Sequence, residues 1–277
     1  MINIIKSDLY RIFKGKAIYI TLAIVIIIAI VSCVGMSSGY IGVSTGSKLT
    51  SFDKETTIAL NEANNLIEYR NIIKSHGSFE LDRQIIGQNG NLYYLFIVIV
   101  VISLSTDFSN KSIKNTLSSA ITRKQYYLSK LVLIAFLGTL FVLFNNYFSY
   151  FLNFIINGDK FSMPFMETVK ITLLQLPLLY GIISLLVCFA FALQKTALFN
   201  TVSISFIILL QTLIIGITNL FKINLNGFYD YEFQSALSKL ADYPTNNYII
   251  ICTMLGIVYI FLFNIIGYSI FKKCEIK

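Results

Sequence analysis

The chain has 277 residues, 56% of them apolar and 13% charged, with a mean hydropathy of +0.71. A water-soluble domain of this length has too little interior to hide so much apolar surface, which excludes an ordinary globular enzyme. The net charge of +8 reads as membrane topology and attraction to anionic lipid rather than nucleic-acid binding, and it would also suit an acidic cytoplasmic partner.

At the start, Ile2, Ile5, Leu9, Ile12 and Phe13 fall on one helical face, with Lys6, Arg11 and Lys14 off it. Residues 1–16 are therefore expected to form an interfacial amphipathic helix. A plain extension of the first span is the alternative. Six apolar runs follow, near 17–39, 91–106, 130–156, 171–193, 197–218 and 248–271. Most approach the roughly 20 residues that cross a bilayer as helix. The second is short and is expected to begin within 83–91. No alternation of period two points to a β-barrel. Residues 17–277 thus read as one six-span domain. In the first span, Ile30-Val31-Ser32-Cys33 resembles a lipoprotein cleavage box. Cleavage there would leave five spans and strand the charge pattern, so a retained span is expected.

The outer loop 40–90 holds a helix-compatible stretch over 57–74 and the lone histidine, His76. That stretch either caps the outer mouth or is a solvated excursion. Gly35 and Gly39 before it form a GxxxG, a pattern common by chance. The loop 107–130 is more telling. Ile113, Leu117 and Ile121 recur at i+4, while Lys111, Lys114, Asn115 and Ser118 lie elsewhere on the surface. A short helix over 109–121 follows from that spacing. Thr122 then begins a new helix, with Gln125 three residues on completing a capping box. This helix runs through Tyr126 and Tyr127, expected at the membrane interface, into span three. The result is a rigid elbow. A basic loop lying on anionic headgroups is the simpler alternative.

On span three, Asn145, Ser149 and Asn153 fall at i+4 spacing beside Asn146 and Tyr150. A polar stripe facing lipid is costly, so this one faces protein or a path. Both interhelical hydrogen bonding and cargo contact fit it. Gln175, Asn200, Gln211 and Asn264 carry the same ambiguity. Pro177 is expected to kink or loosen span four. The last outer loop, 219–247, places Phe228, Tyr229, Tyr231 and Phe233 before a short helical stretch ending at Pro244. Asp230, Glu232, Lys239 and Asp242 make it rather charged for deep re-entry.

Cations concentrate on one side: Lys6, Arg11, Lys14 and Lys16, then the elbow, Lys195, and the tail with Lys272, Lys273 and Lys277. Both termini are therefore expected in the cytoplasm. No GxxxxGK[ST] loop, HExxH or Cys/His cluster is present, so neither ATP nor a metal has an evident site. The four cysteines suggest no disulfide framework. The spans hold essentially no ionisable side chain at depth, where ion-coupled transporters usually need one. If the chain transports, an outside motor must drive it.

The elbow also carries a family resemblance. Asp107-Phe108, Ser112-Ile113-Lys114, and Thr122-Arg123 with Tyr126 and Lys130 resemble the intracellular loop of ABC-2-type permeases, the membrane subunits of one class of ATP-binding-cassette exporter. Lys111 departs from the pattern, standing where many relatives carry Gly. The resemblance implies an all-α membrane protein of six transmembrane helices with an N-terminal interfacial helix and a cytoplasmic coupling helix. It implies pairing with a second permease copy or paralogue and with two ATPase subunits, which would hold the ATP and Mg, while this chain binds no cofactor. Lys111, Ser112, Ile113, Lys114, Asn115, Leu117, Ser118 and Arg123 would couple to the ATPase. Asn145, Asn146, Ser149 and Asn153 would line a cargo path. In composition the chain is similar to small permeases of antimicrobial-peptide immunity and efflux in the bacterial cell membrane. An amphipathic or apolar cargo fits spans without charge. A transporter active without cytoplasmic partners, or a non-transporting scaffold or sensor with a ligand-binding outer loop, are the competing classes.

Overall fold

Backbone that meets hydrocarbon must satisfy its own N–H and C=O groups, and every described element is helical. The computed structural model describes residues 2–37, 81–110, 112–118, 121–158, 162–221, 230–242 and 244–274. The stretch 57–74, His76, Gly39 and Lys111 lie outside the described residues.

Helix α1 (Ile2–Lys14) is amphipathic and buries Asp8 and Ile12. It is not an extension of α2 (Lys16–Ser37). Gly15 separates them, its N–H shared between the carbonyls of Arg11 and Ile12 at 3.1 Å each. Next comes one continuous helical rod in five pieces. These are α3 (Leu81–Gly87), a 3-10 turn (Gln88–Asn91), α4 (Leu92–Val100), a π turn (Val101–Ser105) and α5 (Thr106–Ser109). The rod begins well before the apolar run at 91, because Asp82, Arg83 and Asn89 are buried against protein rather than exposed to water.

After a turn at Asn110 stands the short α6 (Ser112–Ser118), then α7 (Arg123–Asn157). At 35 residues, α7 is about 50 Å long. It overreaches the ~30 Å hydrocarbon core of a bilayer. Helices α8 (Phe165–Leu193) and α9 (Thr196–Phe221) follow, joined by a turn in which Gln194 adopts φ 53°. The small α10 (Phe233–Ala241) and the final α11 (Asn246–Lys273) complete the chain.

Among the described residues, five helices are long and apolar enough to cross a membrane: Lys16–Gly35, Asp82–Phe108, Arg123–Asn157, Phe165–Leu193 and Asn246–Lys273. They are those of a multi-pass membrane protein. The remaining expected span lies in α9, whose qualifying apolar stretch, Thr196–Leu210, is shorter. Helix α8 is the hub, with 67% of its apolar window buried against 11% for α11. The two nonetheless meet at backbone distance. A Cβ on Gly256 would stand 2.5 Å from the Pro177 carbonyl carbon. Pro177 leaves α8 continuous, and the last helix packs straight onto it.

Candidate functional site

The elbow is built as its capping chemistry dictates. Thr122 Oγ1 accepts from the Gln125 N–H at 3.2 Å, and Gln125 Oε1 accepts from the Thr122 N–H at 3.2 Å. Two orphan N–H groups are thereby satisfied and α7 starts at a fixed angle. Before it, α6 is shorter than the expected 109–121. Its stripe holds, since Ile113 is buried and Leu117 and Ile121 pack half-buried on the same core. Lys114 is exposed. The side chains of Ser112, Asn115 and Ser118 lie outside the described set. Arg123 does not point to a free surface. Its Nη1 donates to the carbonyls of Phe271, Lys272 and Cys274 at 3.0, 2.8 and 2.9 Å, so it closes the C-terminal end of α11.

Beneath the elbow lies a knot of charge. Lys130 is 1% exposed, and its Nζ sits 2.6 Å from both Asp8 Oδ2 and Asp107 Oδ2. It also donates to the Ser103 carbonyl at 3.1 Å. That carbonyl belongs to the π turn, where the widened helix frees backbone acceptors for outside partners. Arg11 reaches Asp107 at 2.6 Å and Asp8 at 3.2 Å. Tyr126 donates its hydroxyl to Asp107 Oδ2 at 2.9 Å. Burial alone would lower the Arg11 pKa, but the neighbouring Asp107 and Asp8 carboxylates override it and the net shift is upward. Two cations thus match two carboxylates, which is what burial demands. Tyr126 and Tyr127, expected at the membrane interface, are both buried. Their rings pack on Phe191 at 6.4 and 4.7 Å between centroids, and Phe191 packs on Phe271 at 4.6 Å. The ends of α1, α5, α7, α8 and α11 therefore form one block.

A second, neutral cluster crosses the opposite half of the bundle. Asn89 Nδ2 donates to Asn146 Oδ1 at 2.9 Å and to Gln175 Oε1 at 2.7 Å. Asn89 Oδ1 accepts from Asn145 Nδ2 at 3.0 Å. Asn146 Nδ2 donates to Thr172 Oγ1 at 2.9 Å. Gln175 Nε2 donates to the Leu237 carbonyl at 2.9 Å, tying down α10. Arg83 fastens the same helix through the Ala241 carbonyl at 3.0 Å while pairing with Glu167 at 2.5 Å. Glu232 caps α10 by accepting from the Gln234 and Ser235 N–H groups. So the charged last loop does supply a docked helix, because its charges serve as caps and pairs.

Of the four stripe residues, Asn145 and Asn146 join this network and Asn153 bonds Ser162 and Asn157. Ser149 is fully buried, and its hydroxyl has no partner among the described residues. Asn145 also lines a cavity. Sequence reasoning missed Asn89 and Thr172 as network members and Asp8 as the partner of Lys130. The available signal for Asp8 was its position as the one acidic residue of a basic amphipathic helix. Among the described residues, no group of three or more His, Cys, Asp or Glu side chains could hold a metal ion. Compared with known proteins, the chain matches no family model, no curated protein and no solved structure.

Proposed function

We propose that the chain is the transmembrane permease subunit of an ATP-driven exporter of the ATP-binding-cassette type. It works with separate ATPase subunits, which bind ATP and Mg, and with a second permease copy or a paralogue. Its cargo is amphipathic or apolar. The observation that carries this reading is the elbow. A short helix with one exposed basic residue, Lys114, stands on a block where buried ion pairs and an aromatic cluster lock five helix ends together. A push on α6 is thereby delivered to spans two, three, four and the last. A loop resting on headgroups would need no such foundation.

The chain ends support six crossings. Asp8 meets Lys130, and Arg123 meets the carbonyl of Cys274. Residues near both ends of the chain thus sit at one end of the bundle. An even number of crossings follows if that end is one side of the membrane, and α9 supplies the sixth beside the five longer helices. The basic residues of that end favour the cytoplasmic face of a bacterial cell membrane.

The test is Leu117→Asp. It puts an unpaired charge into a half-buried apolar stripe, which is unfavourable by several kcal/mol at full burial and by about 1–3 kcal/mol here. The expected result is loss of ATPase co-purification, or of cargo-stimulated hydrolysis in nanodiscs, with membrane insertion intact. Unchanged docking and hydrolysis would remove the exporter reading and favour a scaffold.

A further inference from the structure

We infer that the bundle carries a binding site for a neutral amphiphile, entered sideways from the membrane between α2 and α4. A cavity of about 330 Å3 opens there. That lies at the lower end of the range for small-molecule sites, on the order of 300 to 1,000 Å3. Its two ends differ in chemistry. Towards the charged knot it is walled by Ile24, Val25, Ile28, Leu95 and Val98, and by Thr21, whose hydroxyl donates to the Ala17 carbonyl at 2.8 Å. At the far end it meets Ser32, Gln88, Asn89, Asn91 and Asn145. The antiparallel run of α2 and the second rod explains the division, since Ser32 and Gln88 come to one level and Ile24 and Val98 to the other.

The polar end has unused hydrogen-bonding capacity. Asn145 is nine-tenths buried, and its Nδ2 is spent on Asn89 and Asn146 while its Oδ1 accepts nothing among the described residues. The side chains of Ser32, Gln88 and Asn91 likewise make no hydrogen bond among the described residues. Asn145 Oδ1 is not among the fully buried unpartnered atoms, so it stays open to the cavity, where a ligand group can donate to it and exchange bonds with Gln88. Among the described residues, no Asp, Glu, Lys, Arg or His lines the cavity. A charged head would be desolvated there with no counter-charge. Ile24, Ile28, Tyr94 and Val98 at the rim are exposed on the faces of two membrane-spanning helices. The opening therefore faces hydrocarbon, and the ligand arrives from the lipid phase. Its chemistry is a single apolar chain carrying a hydroxyl or amide head without charge. The site is read from the bundle alone and stands or falls without any ATPase.

The experiment uses the purified full chain in nanodiscs and a long-chain monoacylglycerol bearing a diazirine in its acyl chain. After irradiation, labelled peptides are mapped by mass spectrometry. The expected labels fall within 24–32 and 88–98. Unlabelled monoacylglycerol should displace the probe about tenfold better than the lysophosphatidylglycerol of the same chain length, as unpaired burial of one charge requires. Leu95→Trp, which fills the apolar end, should abolish labelling. Gln88→Leu, which removes an unpartnered amide and orphans nothing, should weaken binding about fivefold. Labelling spread over α2, α9 and α11 in proportion to their exposure would overturn the site, as would equal competition by the anionic lipid. Should Leu95→Trp fail to assemble, Gln88→Leu and the competition decide: an unchanged affinity for Gln88→Leu overturns the assignment.

Discussion

At one end of the bundle Lys130 is held between Asp8 and Asp107, and towards the other Asn89 is held between Asn146 and Gln175. Both sites join helices far apart in sequence and are buried at their centres, Lys130 and Asn89 each being 1% exposed, while Arg11 at the edge of the ionic site stays half-exposed. They do it with opposite chemistry. The ionic site fixes α1, a helix that is not among the membrane-crossing ones, to the mouth of the bundle. Its strength depends on a full complement, because each charge is tolerable only beside its partner. The amide site registers spans two, three and four and holds α10. Amides sit far from water at modest cost, and any one bond between spans contributes little, on average about 0.6 kcal/mol. Charge is used where one joint must not slip, and amides where several helices share the load.

The largest expected effect breaks the ionic joint. Lys130→Met leaves Asp8 and Asp107 facing each other with Arg11 as the one remaining cation. It should destabilise the protein by about 3–5 kcal/mol, the range for removing one partner of a buried pair. Adding Asp8→Asn should recover part of this, because Arg11 still neutralises Asp107. Unfolding by SDS in mixed micelles gives both numbers. A single mutant as stable as the parent would show that the pairs do not form. Next comes Asn89→Leu, which strips the hub from the amide site. Asn145, Asn146 and Gln175 each lose a bond, and about 1–2 kcal/mol should be lost in the same assay. A loss as large as that of Lys130→Met would erase the distinction between the two sites.

These two sites were unequally legible in the sequence. Asp107, Thr122, Tyr126 and Lys130 stand out by spacing, and the capping box forms as its residues dictate. The stripe on α7 is equally plain, but a stripe names one side of a contact only. Its partners Asn89 and Thr172 lie on helices whose polar residues are single and unpatterned. The rod that holds Asn89 starts at Leu81, just ahead of the expected 83–91, and no apolar run marks that start. Apolar runs mark lipid contact, and the stretch from Asp82 to Asn89 contacts protein instead. Asp8 pairs with Lys130 across a separation of 122 residues, and no local periodicity reports a pairing of that kind. The apolar runs at 17–39 and 248–271, in contrast, lie within a few residues of Lys16–Gly35 and Asn246–Lys273, since an exposed apolar face leaves its mark at every position.

The elbow tests whether the ionic joint needs a fixed corner above it. Thr122→Ala removes one half of the capping box and should lower stability by about 1 kcal/mol. The loss should be local. Hydrogen exchange at the amides of residues 123–126 should quicken, while those of α8 stay protected. Equal quickening in both would mean that the corner and the core unfold together.

The smallest structural effect is expected at Lys114, and there the proposed function predicts more than the fold does. Lys114 is exposed and forms no ion pair among the described residues. Reversing its charge with Lys114→Glu should leave unfolding within about 0.5 kcal/mol of the parent, as for surface changes generally. Docking is another matter. If α6 meets an acidic groove on an ATPase subunit, the reversal replaces attraction with repulsion at one exposed pair. Such pairs contribute up to about 1 kcal/mol, so affinity should fall by roughly fivefold at low salt. The deficit should shrink in high salt, where the screening length drops to about 3 Å at 1 M. Binding of the detergent-purified chain to the proposed ATPase subunit at two ionic strengths reads both effects. A salt-independent loss would mean that the contact at Lys114 is one of shape. No loss at either strength would put the docking face elsewhere on the elbow.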